Sequence, residues 1–216
     1  MNRGNMSDKI VKKGIFCIEG LWEIDDIEDK STILPILELL ERREYCNFIY
    51  RSCVTIPELK FFLTRWKTKK VNVKYPILYL AFHGEIGNIR INKKEICSLD
   101  YLAEVLEGKC SGKVIYFGSC STLNINIRAI KSFLEKTGAL AAIGYKNEVD
   151  WIQSTACDMF VFEALQKDKL DSKGIEKIHN KIITEYGNLH RKLGLTVVIN
   201  DSKHFPRKRK KVRKKL

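Results

Sequence analysis

The chain of 216 residues contains no apolar run approaching the ~20 residues that a membrane-spanning helix needs. Its opening stretch, Met1 to Lys13, is polar and basic, with no apolar region behind it of the kind a secretory leader carries. It has no Cys-x-x-Cys pair, and its seven cysteines are an odd number. That pattern argues against a zinc knuckle and against a disulfide framework, leaving reduced and mostly buried thiols. There is no internal repeat and no long linker. These absences point to a soluble, cytoplasmic protein, and an apolar fraction of 44% supplies a core.

Acidic residues are missing from one place in particular. Lys203 to Leu216, KHFPRKRKKVRKKL, holds nine Lys/Arg and no acid, so the formal net charge of +13 leaves only +4 for the rest. The expected division is a single domain over 1–202 and a disordered basic tail over 203–216. Arg207, Lys208, Arg209, Lys210, Lys211 and Arg213 are suited to gripping nucleic-acid phosphates or a partner, to serving as a localisation address, or simply to staying solvated. No aromatic residue interleaves the last eleven positions, which argues against base stacking there.

The body alternates strand and helix signals. Strands are expected at Gly14–Gly20, Asn47–Val54, Tyr75–Phe82, Lys113–Phe117, Ala139–Gly144 and Leu195–Ile199, with a small hairpin from Asn88–Ile91 and Glu95–Cys97. Helices are expected at Ser31–Glu44 with Ser31 as cap, from Thr55 through Trp66, and at Ser98–Leu106 with Ser98 as cap. Further helices follow at Ile125–Lys136, closed by Gly138, then at Val149–Gln166 and Ser172–Tyr186. The central strands are apolar throughout rather than alternating, which belongs to a mostly parallel sheet covered by helices on both faces, an α/β domain of three layers.

In such sheets ligands bind at the carboxyl ends of the strands. The Tyr75–Phe82 strand ends in His83-Gly84, and the Lys113–Phe117 strand ends in Gly118-Ser119-Cys120. One helical crossover joins them, so an imidazole and a thiol can stand over neighbouring strand ends. A base beside a thiol produces the attacking thiolate near neutral pH. The N–H groups of Gly84 and Cys120 are candidates for an oxyanion hole, and Gly118 for a sharp turn before the nucleophile. A C-x5-R phosphate loop fails at Asn126, and a G-x-C-x-G elbow fails at Thr122. A thiol hydrolase or amidotransferase using a downstream histidine, His179 or His190, stays open. So does a non-catalytic module acting through the tail.

A strand ending in His-Gly, followed 37 residues later by a small-small-Cys at another strand end, resembles the caspase-like cysteine peptidases. The segments GSCST, RAIKSFLEKTGALAAIGY and EVDWIQSTACDMFVFEAL resemble the CHAT branch, over roughly Lys74 to Leu165, in a small stand-alone bacterial form. The resemblance implies a caspase-like three-layer sandwich and an endopeptidase working through a thioester, with His83 as base and acid and Cys120 as nucleophile. It implies no metal and no cofactor, a protein or peptide substrate, restraint until a partner or ligand activates it, and service in bacterial defence or cell death. Relatives carry Gln or Asp two residues before the nucleophile, where this chain has Gly118. Their substrate-charge rule therefore does not transfer. The pocket regions offer Glu19, Glu23, Glu148, Asp150 and Trp151. Asp150 as a pocket wall would favour Lys or Arg before the scissile bond; alternatively Glu148 and Asp150 merely open a helix, where acids suit the dipole.

Overall fold

The computed structural model describes residues 12–23, 25, 26 and 28–200. The basic tail and its six named cations lie outside the described residues. In chain order the elements are β1 (Ile15–Glu19), α1 (Leu34–Arg42), β2 (Phe48–Ser52), α2 (Ile56–Trp66), α3 (Lys69–Asn72), β3 (Ile77–Ala81), β4 (His83–Glu85) and β5 (Asn88–Arg90). They continue with β6 (Ile96–Ser98), α4 (Leu99–Leu106), β7 (Val114–Gly118), α5 (Ile127–Thr137), β8 (Ala141–Tyr145), α6 (Trp151–Lys167), α7 (Ser172–Leu193) and β9 (Leu195–Ile199).

Six strands form one sheet in the order β2-β1-β3-β7-β8-β9, parallel except for β9. Every residue of β1, β3, β7 and β8 is buried, because helices cover both faces. Alternate side chains divide between two cores. Phe16, Ile18, Leu78, Leu80, Ile115 and Phe117 pack against α2, α4 and α5. Ile15, Cys17, Ile77, Tyr79, Val114 and Tyr116 pack against α1, α6 and α7. Each Leu or Ile side chain so buried contributes roughly 1.5–3 kcal/mol. The three-layer α/β sandwich read from the sequence is the architecture found. No helix among the described residues is long and apolar enough to cross a membrane.

Local signals behave as their chemistry requires in most places. Thr55 and Ser98 accept from Glu58 N and Tyr101 N at the starts of α2 and α4, and Gly138 ends α5 at φ 73°. Three differences stand out. Ser31 does not cap α1: its N–H is taken by Asp29 at 2.9 Å. The helix begins three residues later, and the N–H of Ile33 is served by the Glu19 carboxylate at 2.8 Å. A buried anion at the helix start does the work of a cap. Next, α7 runs past its expected end at Tyr186, where the backbone leaves helical geometry (φ −126°, ψ 25°), and a second helical piece reaches Leu193. Finally, the expected hairpin is a three-stranded antiparallel sheet, β4-β5-β6, because the chain pairs again as soon as β3 ends.

Candidate active site

The sheet order reverses direction at β1: the chain passes from β1 outward to β2 and later returns to β3 on the other side. The loops after β1 and β3 therefore part at this point and leave a crevice above the carboxyl ends of the strands. A cleft of about 150 Å³ lies there, and His83, Gly118, Ser119, Cys120, Trp22 and Trp151 are among its walls.

The strand register positions the two reactive side chains. Ala81 of β3 pairs with Gly118 of β7, and His83 and Cys120 each follow two residues later. Both are half-buried, whereas Phe82 and Ser119, which join them to their strands, are buried. Cys120 is the one cysteine of the seven that is not buried.

The imidazole is held by the main chain. His83 Nε2 bonds the carbonyl oxygen of Trp22. A carbonyl only accepts, so Nε2 carries the proton and Nδ1 is the nitrogen left to exchange one. The Trp22 indole stands edge-on to the imidazole, with ring centroids 5.5 Å apart, and edge-on to Trp151 at 6.4 Å. Trp22 is anchored in turn, since its Nε1–H donates to Glu19 Oε1 at 2.6 Å. Glu19 is 1% exposed and also accepts from Thr32, from Tyr50 at 2.7 Å and from Ile33. Glu19 thus does not line the cleft as expected; its carboxylate is consumed beneath it, fixing the loop that carries Trp22. Sequence reasoning missed Trp22. The signal for it is an apolar-flanked buried acid at a strand end with an indole three residues on.

The cysteine loop is shaped by unusual backbone. Ser121 adopts φ 53°, a left-handed conformation that non-glycine residues seldom take outside constrained sites. Its N–H donates to Asn147 O at 3.0 Å. Thr122 ties the loop to the small sheet, giving its hydroxyl to Asn88 O at 3.0 Å and accepting Gly87 N–H at 3.2 Å. The sulfur of Cys120 receives the Val149 N–H at 3.4 Å and points its own proton toward Val149 O at 3.6 Å. These main-chain bonds, and not one to the imidazole, occupy the sulfur in this structure.

Both glycines of the site are explained by space. A Cβ on Gly84 would lie 2.0 Å from Cys120 O and 2.8 Å from Cys120 N, so only glycine lets β4 rest on the cysteine loop. Glu85 and Asn88 close a two-residue turn as a bonded pair, so Gly84, opposite Ile89, falls in the unbonded register. Its N–H therefore faces away from β5. Among the described residues no acceptor takes the N–H of Cys120. Gly118 makes no sharp turn: it is the last residue of β7, and its missing Cβ is replaced by the Tyr79 hydroxyl, 2.2 Å from where that atom would sit. Tyr79 belongs to a buried group under the cleft, where the hydroxyls of Tyr79, Tyr116 and Tyr145 all donate to Asp158. Burial pushes the Asp158 carboxyl up to about 6, against the opposing pull of those three bonds.

The remaining candidates separate clearly. Trp151 and Glu23 line the cleft. Asp150 is exposed and caps α6, accepting Gln153 N–H at 3.0 Å, and Glu148 is exposed beside it. His179 and His190 are not part of the cleft wall; both lie on α7, with rings 5.8 Å apart.

Sheet order, layers and the crevice above the switch point match a caspase-like three-layer fold. Consistent with this, the structure is similar to the crystal structure of the Drosophila initiator caspase Dronc, with a TM-score of 0.54 and 8% identity over 88% of this chain and 81% of that one. The chain belongs to a family of unknown function, DUF6642, whose model matches residues 12–198. No curated protein matches it.

Proposed function

We propose that the protein is a cysteine peptidase in which His83 and Cys120 act as a pair. The observation that carries this reading is the shared cleft: the half-buried cysteine and an imidazole with Nδ1 free for proton exchange stand over neighbouring strand ends. Nδ1 takes the Sγ proton, and the thiolate attacks the substrate carbonyl carbon. The N–H groups of Gly84 and Cys120 hold the oxyanion. Nδ1 then returns its proton to the leaving amine, and water hydrolyses the thioester. Placement in the CHAT branch, endopeptidase action and service in defence or cell death belong to the same proposal and rest on the resemblance over Lys74–Leu165.

The test is a peptide library digested by the full chain, with new termini read by mass spectrometry. Wild-type protein should generate them, and Cys120→Ala and His83→Ala should not while melting near the wild-type temperature. One observation favours a second reading, a caspase-like module that binds without cleaving: the sulfur is bonded to Val149 rather than to the imidazole. On that reading no termini appear, and Cys120→Ala leaves partner binding unchanged.

A further inference from the structure

The end of the sheet opposite the cleft carries a concavity of about 960 Å³, within the range of small-molecule sites. Six lysines border it: Lys12, Lys13, Lys167, Lys169, Lys173 and Lys177. Its apolar parts are Val73, Pro76 and Leu170. The two carboxylates in its wall are already engaged. Asp168 pairs with Lys177 at 3.6 Å, and Asp171 caps α7 by accepting Gly174 N–H at 2.8 Å. Three of the other lysines are also engaged: Lys12 with Glu44 at 3.5 Å, Lys167 with Glu163 at 2.6 Å, and Lys13 with Gln166 O at 3.0 Å. Lys169 and Lys173 are exposed and, among the described residues, have no acidic partner in ion-pair range.

Lysines gathered around a concavity repel one another, and low-dielectric walls focus the resulting field into it. The start of α7, a helix of 22 residues, adds its positive dipole end to the same space. The charge is concave rather than spread over a face, and it adjoins apolar surface. A compact polyanion satisfies both features. We propose that this cavity binds a polyphosphate-bearing small molecule, with Lys169 and Lys173 as its principal phosphate contacts. Such a ligand is not the substrate of the thiol. Between cavity and cleft runs the whole of α6, Lys167 lining the one and Trp151 the other, and seventeen helical residues span about 25 Å. The site is thus a second one, and it stands or falls independently of the peptidase reading.

The experiment is calorimetric titration of the full chain with inorganic tripolyphosphate and, separately, with ATP, at low and at physiological salt. One-to-one saturable binding is expected, weaker as salt rises. In the double variant Lys169→Gln/Lys173→Gln the affinity should fall by about tenfold or more, the loss expected for removing charge-assisted bonds. A full-length variant with Arg207, Lys208, Arg209, Lys210, Lys211 and Arg213 all changed to Gln should bind as wild type does. Equal affinity for both probes identifies the polyphosphate as the recognised group, and tighter ATP binding adds a contact to the apolar wall. Absence of saturable binding to either probe overturns the proposal. So does binding that disappears with the tail cations and survives Lys169→Gln/Lys173→Gln, which would make the protein a binder of extended polyanions such as nucleic acid.

Discussion

Alkylation of the native chain by iodoacetamide at pH 8 should mark Cys120 far ahead of the other six cysteines. Two independent quantities set the margin. The first is access: Cys120 is half-buried, and the others are buried. The second is ionisation, because the thiolate is the species that reacts. Burial pushes Cys46, Cys53, Cys97, Cys110 and Cys157 up to about 12, and burial together with the nearby Glu19 and Asp158 raises Cys17 as well. A thiol at about 12 is thiolate in about one part in 10⁴ at pH 8. Ionisation alone thus leaves the buried five almost without the reactive species. The assay is peptide mapping by mass spectrometry after timed quenching, with a denatured control in which all seven label. Comparable labelling of all seven in the native protein, or a buried cysteine reacting before Cys120, would refute the reasoning.

Other consequences follow from named contacts. Gly84→Ala pushes a methyl group into the Cys120 carbonyl, which is backbone and cannot rotate away. It should cost about 1–3 kcal/mol in denaturant titration and abolish turnover. Glu19→Gln turns an amide toward donors that the carboxylate now accepts. Stability should fall by about 1–3 kcal/mol, and turnover with it, as the Trp22 carbonyl loosens its hold on His83. Asp158 titrates higher when folded (about 6) than when unfolded (about 3.9). The folded state therefore holds this proton more tightly, and its stabilising contribution is complete below pH 4 and lost as pH rises through 6. The difference in unfolding free energy between wild type and Asp158→Asn should shift across that window by roughly 2–3 kcal/mol, and a flat difference would contradict the burial argument.

The elements most legible from sequence were those whose signal is local or fully apolar. Strands β3 and β7 announce themselves as unbroken apolar runs, and Thr55, Ser98 and Gly138 mark helix ends through their own side-chain or backbone chemistry. The histidine and cysteine were placed at strand ends by the same reasoning, and the register between Ala81 and Gly118 sets them side by side. What stayed hidden depends on distant partners. Ser31 looked like a cap, yet a carboxylate from β1 already served the helix start. No strand is expected from sequence at His83-Gly84-Glu85, because their pairing with β5 is a tertiary event. The Trp22 carbonyl leaves no mark in side-chain identity, since every residue has one. Gly118 suggested a turn, whereas its reason is a tyrosine hydroxyl arriving from the neighbouring strand.

The central claim is that the imidazole of His83 serves the thiol of Cys120. The pH dependence of Cys120 alkylation in wild type and in His83→Ala tests it without knowledge of any substrate. The pair predicts that His83→Ala reacts at least about tenfold more slowly at pH 7 and as fast as wild type at pH 10, where hydroxide replaces the base. Superimposable profiles across that range would contradict it.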